Sequence, residues 1–244
     1  MSRGSLQKRI AAILLLGLIA GLSFVVVKTA TAQSEHPLSL QDVSTPAAKS
    51  VTFDFDHFPI GSVPDDFVPV LSGVGQSVVW QIRAEPTARS GQNVLAQTSS
   101  EEVNPRFPLL VYNKLTEKNV EAGVSFKPIS GKVDQAGGLI IRYQDQDNFY
   151  MVSANALEDE VRLYKVVDGV RHPIAGANTR IGTGEWHWMK LIAKDNHFQV
   201  FFEDALLFEA DDTTYPQAGQ IGLSTKSDGV TVFDDFYITP LDQQ

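Results

Sequence analysis

HWMKLIAKDNHFQVFFEDALLFEA, residues 187–210, decides the fold. His187, Met189, Leu191 and Ala193 fall on one side of an extended chain, and Trp188, Lys190 and Ile192 on the other. This period of two belongs to a strand, whereas a helix would repeat every 3.6 residues. Phe198, Val200 and Phe202 oppose Gln199 and Phe201 in the same way. Asp195-Asn196 lies between these two runs and suits a two-residue hairpin loop. Glu203-Asp204 precedes a third run, Leu206–Ala210. It has no glycine to relax positive φ, so a more strained turn is expected there.

The same pattern extends outward in both directions. Strand-like runs are expected at Val51–Phe55, Ser77–Arg83, Asn93–Thr98, Pro108–Asn113, Val120–Lys127, Gly138–Tyr143, Phe149–Ala154, Val161–Val167 and Val170–Ala175 before it, and at Gln220–Thr225 and Val230–Ile238 after it. Val, Ile, Phe, Tyr and Thr dominate them, as suits a pleated surface. Asp168-Gly169 marks another hairpin, and Asp228-Gly229 opens the last run. Leu139, Ile141 and Tyr143 are read as one face against Ile140 and Arg142. No segment predicts an amphipathic helix of three or more turns. Turns every ten to thirteen residues or so predict a β-sandwich or barrel. Several runs are apolar on both faces, which favours an all-β jelly-roll sandwich of two antiparallel sheets over residues 51–240, with its first and last strands side by side.

The beginning of the chain reads as an export signal. Arg3, Lys8 and Arg9 precede an apolar stretch from Ile10 to Val27, and Ala30-Thr31-Ala32 is a small-residue cleavage site. Residues 1–32 are therefore expected to be a signal-peptide helix, cut after Ala32. The alternative is an uncut anchor, since the stretch is just long enough to span a bilayer. The membrane would then be reached only through this leader. Residues 33–50 are polar, hold Pro37 and Pro46, and read as a flexible linker. The protein is expected to be periplasmic or extracellular.

Composition removes several functions. The 244 residues carry 20 Lys+Arg, 29 Asp+Glu and no cysteine, for a net charge of −9. Without cysteine there is no disulfide framework, thiol nucleophile or thiolate zinc site. An acidic chain is poorly suited to nucleic acid, whose backbone binding needs Lys and Arg. Histidines 36, 57, 172, 187 and 197 show no metal-ligand spacing, and there is neither a G-x-S-x-G elbow nor a P-loop.

GGLIIRYQDQDNFY (137–150), NALEDEVRLYKVVDG (155–169), GEWH (184–187), GQIGLSTKSD (219–228) and FDDF (233–236) together resemble the concanavalin-A-like jelly-roll proteins of the 3-keto-disaccharide hydrolase family. Laminin-G-like modules and family 16 glycoside hydrolases are more distant relatives of that kind. The resemblance is close over Gly137–Ile238 and loose over Val51–Lys127. It implies the sandwich fold and a saccharide-related role, but the fold hosts lectins, enzymes and adhesion modules alike. Two positions depart from the family pattern. Ser153 stands where an Arg is expected, and Ser224 where a Trp is expected.

Several residues are candidates for chemistry. Arg142, Asn148, Tyr150, Arg162 and Lys165 fall on three neighbouring expected strands, where donors beside a ring would hold a hydroxyl-rich ligand. The bland alternative is ion pairing for Arg142 and edge packing for Tyr150. Lys226, with Asp228, is a further loop candidate. Asp54 and Asp56 on the first strand could meet Asp234 and Asp235 on the last. Asp54 and Asp235 are the expected ligands of a structural Ca²⁺, since oxygen clusters suit that ion; no other cofactor is required. The alternative is that these carboxylates cap backbone N–H groups. The family 16 motif Glu-x-Asp-x-Glu is absent. Glu158-Asp159-Glu160 comes closest but falls in an expected turn, so no catalytic residue is assigned.

The leading expectation is an exported carbohydrate-recognition module that holds a saccharide on its concave sheet. The alternatives are a 3-keto-disaccharide or glycoside hydrolase, and a structural or protein-binding module.

Overall fold

The structure is a computed structural model that describes residues 49–242. The expected signal peptide and most of the expected linker lie outside the described residues. Fifteen strands follow in chain order: β1 Val51–Phe53, β2 Phe67–Gly73, β3 Trp80–Ala84, β4 Asn93–Gln97, β5 Arg106–Glu117, β6 Val120–Ser130, β7 Ala136–Asp145, β8 Asn148–Asn155, β9 Glu160–Val167, β10 Val170–Asn178, β11 His187–Lys194, β12 His197–Phe202, β13 Ala205–Asp211, β14 Gly219–Ser224 and β15 Val230–Pro240. No helix occurs among the described residues.

The strands form two antiparallel sheets. One has the order β13-β12-β11-β6-β15-β4-β3, with β1 also paired to β15. The other runs β10-β9-β8-β7-β14-β5-β2. The first and last strands pair as expected, with Val51 opposite Ile238 and Phe53 opposite Phe236. Strand β2 was not expected. Its Pro69 cannot donate to a ladder on both sides, and the strand accordingly sits at a sheet edge, paired only to β5.

The interior lies between the sheets. On β11, His187, Met189, Leu191 and Ala193 are buried and alternate with half-buried neighbours, as read from residues 187–210. Leu139, Ile141, Val152, Leu163, Leu223, Phe198, Val200 and Phe233 belong to the same core. Phe53 ties the layers at one corner. Its ring meets Phe67 and Tyr112 of one sheet at 4.9 and 5.1 Å, and Phe236 of its own sheet at 5.9 Å. Such aromatic pairs add about 0.5–1.5 kcal/mol each beyond area burial.

The alternation read for β7 breaks at Arg142. Ile141 and Arg142 together oppose Ile221 of β14, with Ile140 opposite Gly222 and Tyr143 opposite Gln220. Arg142 has φ 48°. This bulge sends Arg142 inward, over the Tyr150 and Phe198 rings, and turns Tyr143 outward against Phe149.

The turns behave as their residues dictate. Asp168 and Gly169 have φ 49° and 75°. Glu203 and Asp204 both hold positive φ, at 48° and 63°, without glycine. Asp204→Gly should relieve this turn and stabilise the protein by about 0.5–1 kcal/mol. Urea unfolding would report it as a higher midpoint at unchanged slope.

Candidate functional site

The seven-stranded sheet has two faces with different contents. One packs on the core. On the other, Phe107, Leu109, Val111, Ile140, Phe149, Met151, Tyr164 and Val166 form a second apolar cluster. Arg171 on β10 lies 4.2 Å from the Tyr164 ring on β9 and 5.3 Å from the Phe107 ring on β5. Four strands separate β10 from β5. At about 4.8 Å per strand a flat sheet would hold these groups out of reach. The sheet therefore curls, and this outer face is concave.

Cross-strand register builds the site on this face. Ser224, Gly138, Ser153, Arg162 and Gly176 stand in one row across β14, β7, β8, β9 and β10. Gly222, Ile140, Met151, Tyr164 and Pro173 form the next. Arg162 lies flat across Gly176, where a Cβ would come within 2.4 Å of its Cδ. A cleft of about 600 Å³ is lined by Arg162, Tyr164, Arg171 and residues 173–176.

A polar cluster stands beside the aromatic floor. Asp134, fully buried, meets the Lys226 ammonium and accepts a hydrogen bond from Asn155 Nδ2 at 3.3 Å. The same amide donates to Glu158 at 2.9 Å. Burial pushes the Asp134 carboxyl up, and the charges of Lys226 and Arg171 pull against it. Asp228 fixes this arrangement. Its carboxylate accepts the N–H groups of Lys132, Val133 and Asp134 at 2.6, 3.0 and 3.0 Å. Burial raises the Asp228 carboxyl, but these three bonds outweigh it and hold it below the ordinary carboxylate range.

The sequence-chosen residues divide between the faces. Arg162 and Lys226 stand on or beside the concave face. Arg162 donates to Glu160 at 2.7 Å and to Asn178 at 3.2 Å. Asn148 lines a separate hollow with Tyr143, Asp145, Asp147 and Asp168, and donates to Asp145. Arg142, Tyr150 and Lys165 are corrections, because all three face the interior side. Arg142 is turned in by the bulge, and its guanidinium donates to the carbonyls of Lys118 (3.0 Å), Tyr215 (2.9 Å) and Asp195. Tyr150 and Lys165 are cross-strand partners and share a face. Tyr150 donates to Asp212 Oδ1 at 2.7 Å, while Lys165 reaches Asp212 Oδ2 at 2.8 Å and Thr214 at 3.0 Å. Together they anchor the crossover between β13 and β14.

Asp54 and Asp56 lie just past the end of β1 rather than on it, and Asp56 and Asp234 serve the loop before β4. Asp234 accepts the N–H groups of Arg89 and Ser90 at 2.8 and 2.9 Å, and Asp56 those of Gln92 and Asn93 at 2.7 and 2.9 Å. Asp54 accepts from Asp56 N–H at 3.2 Å, and Asp235 donates its own N–H to Asp234 at 2.8 Å. Among the described residues, no group of three His, Asp or Glu side chains is placed to hold a metal ion. The N–H groups thus engage Asp234, Asp56 and one oxygen of Asp54.

Sequence reasoning missed Phe107, Asp134, Tyr164 and Arg171. Tyr164 was within reach, since it lies two residues from Arg162 and so shares its face. Lys165, three residues away, cannot.

Residues 73–239 match the family described as 3-keto-alpha-glucoside-1,2-lyase-like domains. The chain belongs to this family. As a member of it, the protein is also 28% identical over 116 residues to the levanase of Bacillus subtilis (strain 168), a match covering 47% of this chain and 16% of the levanase. Among solved structures, the carbohydrate binding module CBM66 from Bacillus subtilis superposes with a TM-score of 0.58 at 19% identity, over 71% of this chain and 95% of the module. The cellulose-induced protein Cip1 gives 0.58 at 10% identity, over 80% of this chain and 100% of that one. The Bacillus licheniformis β-glucanase gives 0.53 at 11% identity, over 80% of this chain and 99% of that one. These structures share the fold of this family member.

The interior network has a pH signature. Burial alone would raise Asp212, but hydrogen bonds from Lys165, Thr214 and Tyr150 outweigh it and lower the carboxyl from 3.8 to about 2. Burial and the neighbouring Asp212 push Tyr150 up to about 12. A value depressed on folding stabilises fully above about pH 4, and that stabilisation is lost as pH falls toward 2. Asp212→Asn should cost about 2 kcal/mol at neutral pH and flatten the stability profile over that window. Urea unfolding at stepped pH measures both.

Proposed function

We propose that this domain recognises a saccharide on the concave face of its seven-stranded sheet, centred on Arg171, Tyr164 and Arg162. One observation carries the reading. The Arg171 guanidinium is held between two aromatic rings, and among the described residues it has no hydrogen-bond or ion-pair partner. A guanidinium presents five donors in a fixed fork. These ring contacts hold the group in place and leave its donors for a ligand. A few oriented polar groups over an apolar floor are what a hydroxyl-rich ring needs. Family membership and the similarity to a levanase and to a carbohydrate binding module support the same reading. The leader reading adds export, so that the saccharide would be met outside the cytoplasm.

A second reading, cleavage of keto-sugar glycosides, is favoured by a different observation. Asp134 and Glu158 accept hydrogen bonds from one Asn155 nitrogen at 3.3 and 2.9 Å. Their bonded oxygens are thus no more than about 6 Å apart, which is compatible with the roughly 5–5.5 Å of retaining pairs and short of the inverting separation. Asp134 is buried with a raised carboxyl pKa, as suits an acid, while Glu158 is exposed.

A glycan array followed by calorimetry on the purified protein tests recognition. Arg171→Ala and Tyr164→Ala should each weaken binding by about tenfold or more, near 1.4 kcal/mol. Absence of binding to any glycan would sink the proposal. Product analysis by NMR with a 3-keto-disaccharide tests cleavage. Asp134→Asn should slow it by about 10²–10⁴-fold, and no turnover by the unaltered protein would remove this second reading.

A further inference from the structure

The concave face holds three cations of interest, and two of them have partners in place. Arg162 is paired with Glu160 at 2.7 Å. Lys226 is paired with the buried Asp134. Arg171 has no carboxylate within ion-pair distance among the described residues, and its ring contacts hold it in a half-buried position on the cleft wall. A half-buried charge without a counterion loses hydration and recovers little of it from the protein. The ring faces of Tyr164 and Phe107 supply only part of that loss. Asp134 is within electrostatic reach of Arg171, but its charge is shared with Lys226 and its side chain is fully buried.

We infer that Arg171 is a specificity determinant for an acidic saccharide, its guanidinium fork taking the carboxylate of a uronate ring. The inference rests on the saccharide reading of this site and narrows its ligand class. The chemistry follows from the fork. A carboxylate accepts two parallel N–H bonds from one guanidinium edge, and such charge-assisted pairs are roughly twice as strong as neutral ones. A sugar bearing CH₂OH at the same carbon offers a single neutral acceptor. Arg162 lies across Gly176 with its edge given to Glu160 and Asn178, so it does not compete for the anion. Glu158 is exposed beside the cluster and sets the opposing condition. The carboxylate must enter on the Arg171 side of the cleft, away from Glu158.

The test compares matched disaccharides that differ only at C6 of the terminal ring, carboxylate against CH₂OH, in both α and β linkages. Calorimetry on the full chain should give at least about tenfold tighter binding for the acid. That advantage should shrink as salt rises, while binding of the neutral sugar stays level. Arg171→Gln should bring the two sugars to equal affinity. Arg171→Lys keeps the charge but not the fork, and should retain only part of the preference. Thermal melting of both variants shows whether the fold is kept; if Arg171→Gln fails to fold, Arg171→Lys and the salt series decide. Equal affinities in the unaltered protein would overturn the acidic preference and leave saccharide recognition standing. Binding of neither sugar would overturn the acidic preference where the glycan array shows another ligand, and both readings where it shows none.

Discussion

The Arg142 guanidinium, sealed between the two sheets, is the constraint around which one end of this sandwich is built. A buried cation is tolerated only where its donors are met. Here the donors meet carbonyls of Lys118, Asp195 and Tyr215, which come from the β5–β6 turn, the β11–β12 turn and the crossover into β14. One side chain thus locks three connections that the strands themselves do not join. The bulge that brings it inward has a second effect, because it reverses the alternation of β7 from that point and places Tyr143 on the outer face. Tyr150, Lys165 and Asp212 continue the same network along the crossover.

A second buried arginine supports the other end, where the candidate site lies. Arg106 donates to the carbonyl of Ser227 and to Ser99 Oγ, each at 3.0 Å, and lies 3.4 Å from Glu101. Ser227 adjoins Asp228, whose carboxylate gathers three N–H groups of residues 132–134. That turn in turn presents Asp134 to Lys226 and Asn155. The polar cluster is therefore held from beneath through backbone bonds. Such support leaves little to be ordered on binding, which lowers the entropic cost of recognition.

The concave face is not evenly filled. Ser153 and Ser224 fall in one row on either side of Gly138. Small side chains there leave the middle of the sheet low, while Arg162, Tyr164 and Arg171 rise along β9 and β10.

The class of fold, nearly every strand, the hairpin turns and the pairing of the first strand with the last were legible along the chain. These are local matters of period, turn chemistry and propensity, and they can be read wherever a run keeps its alternation. The separation of Arg162 and Tyr164 from Lys165 was legible too, since parity along one strand assigns the face. Long-range packing alone sets which face is concave, turns Arg142 inward, and brings Phe107 and Arg171 together. The bulge depends on two residues of β7 opposing one residue of β14, far along the chain. The meeting depends on curvature accumulated over a whole sheet. Glu158 lies in an exposed turn, as its sequence context implies, but its nearness to Asp134 comes through Asn155 and the loop that Asp228 holds, which no spacing along the chain encodes.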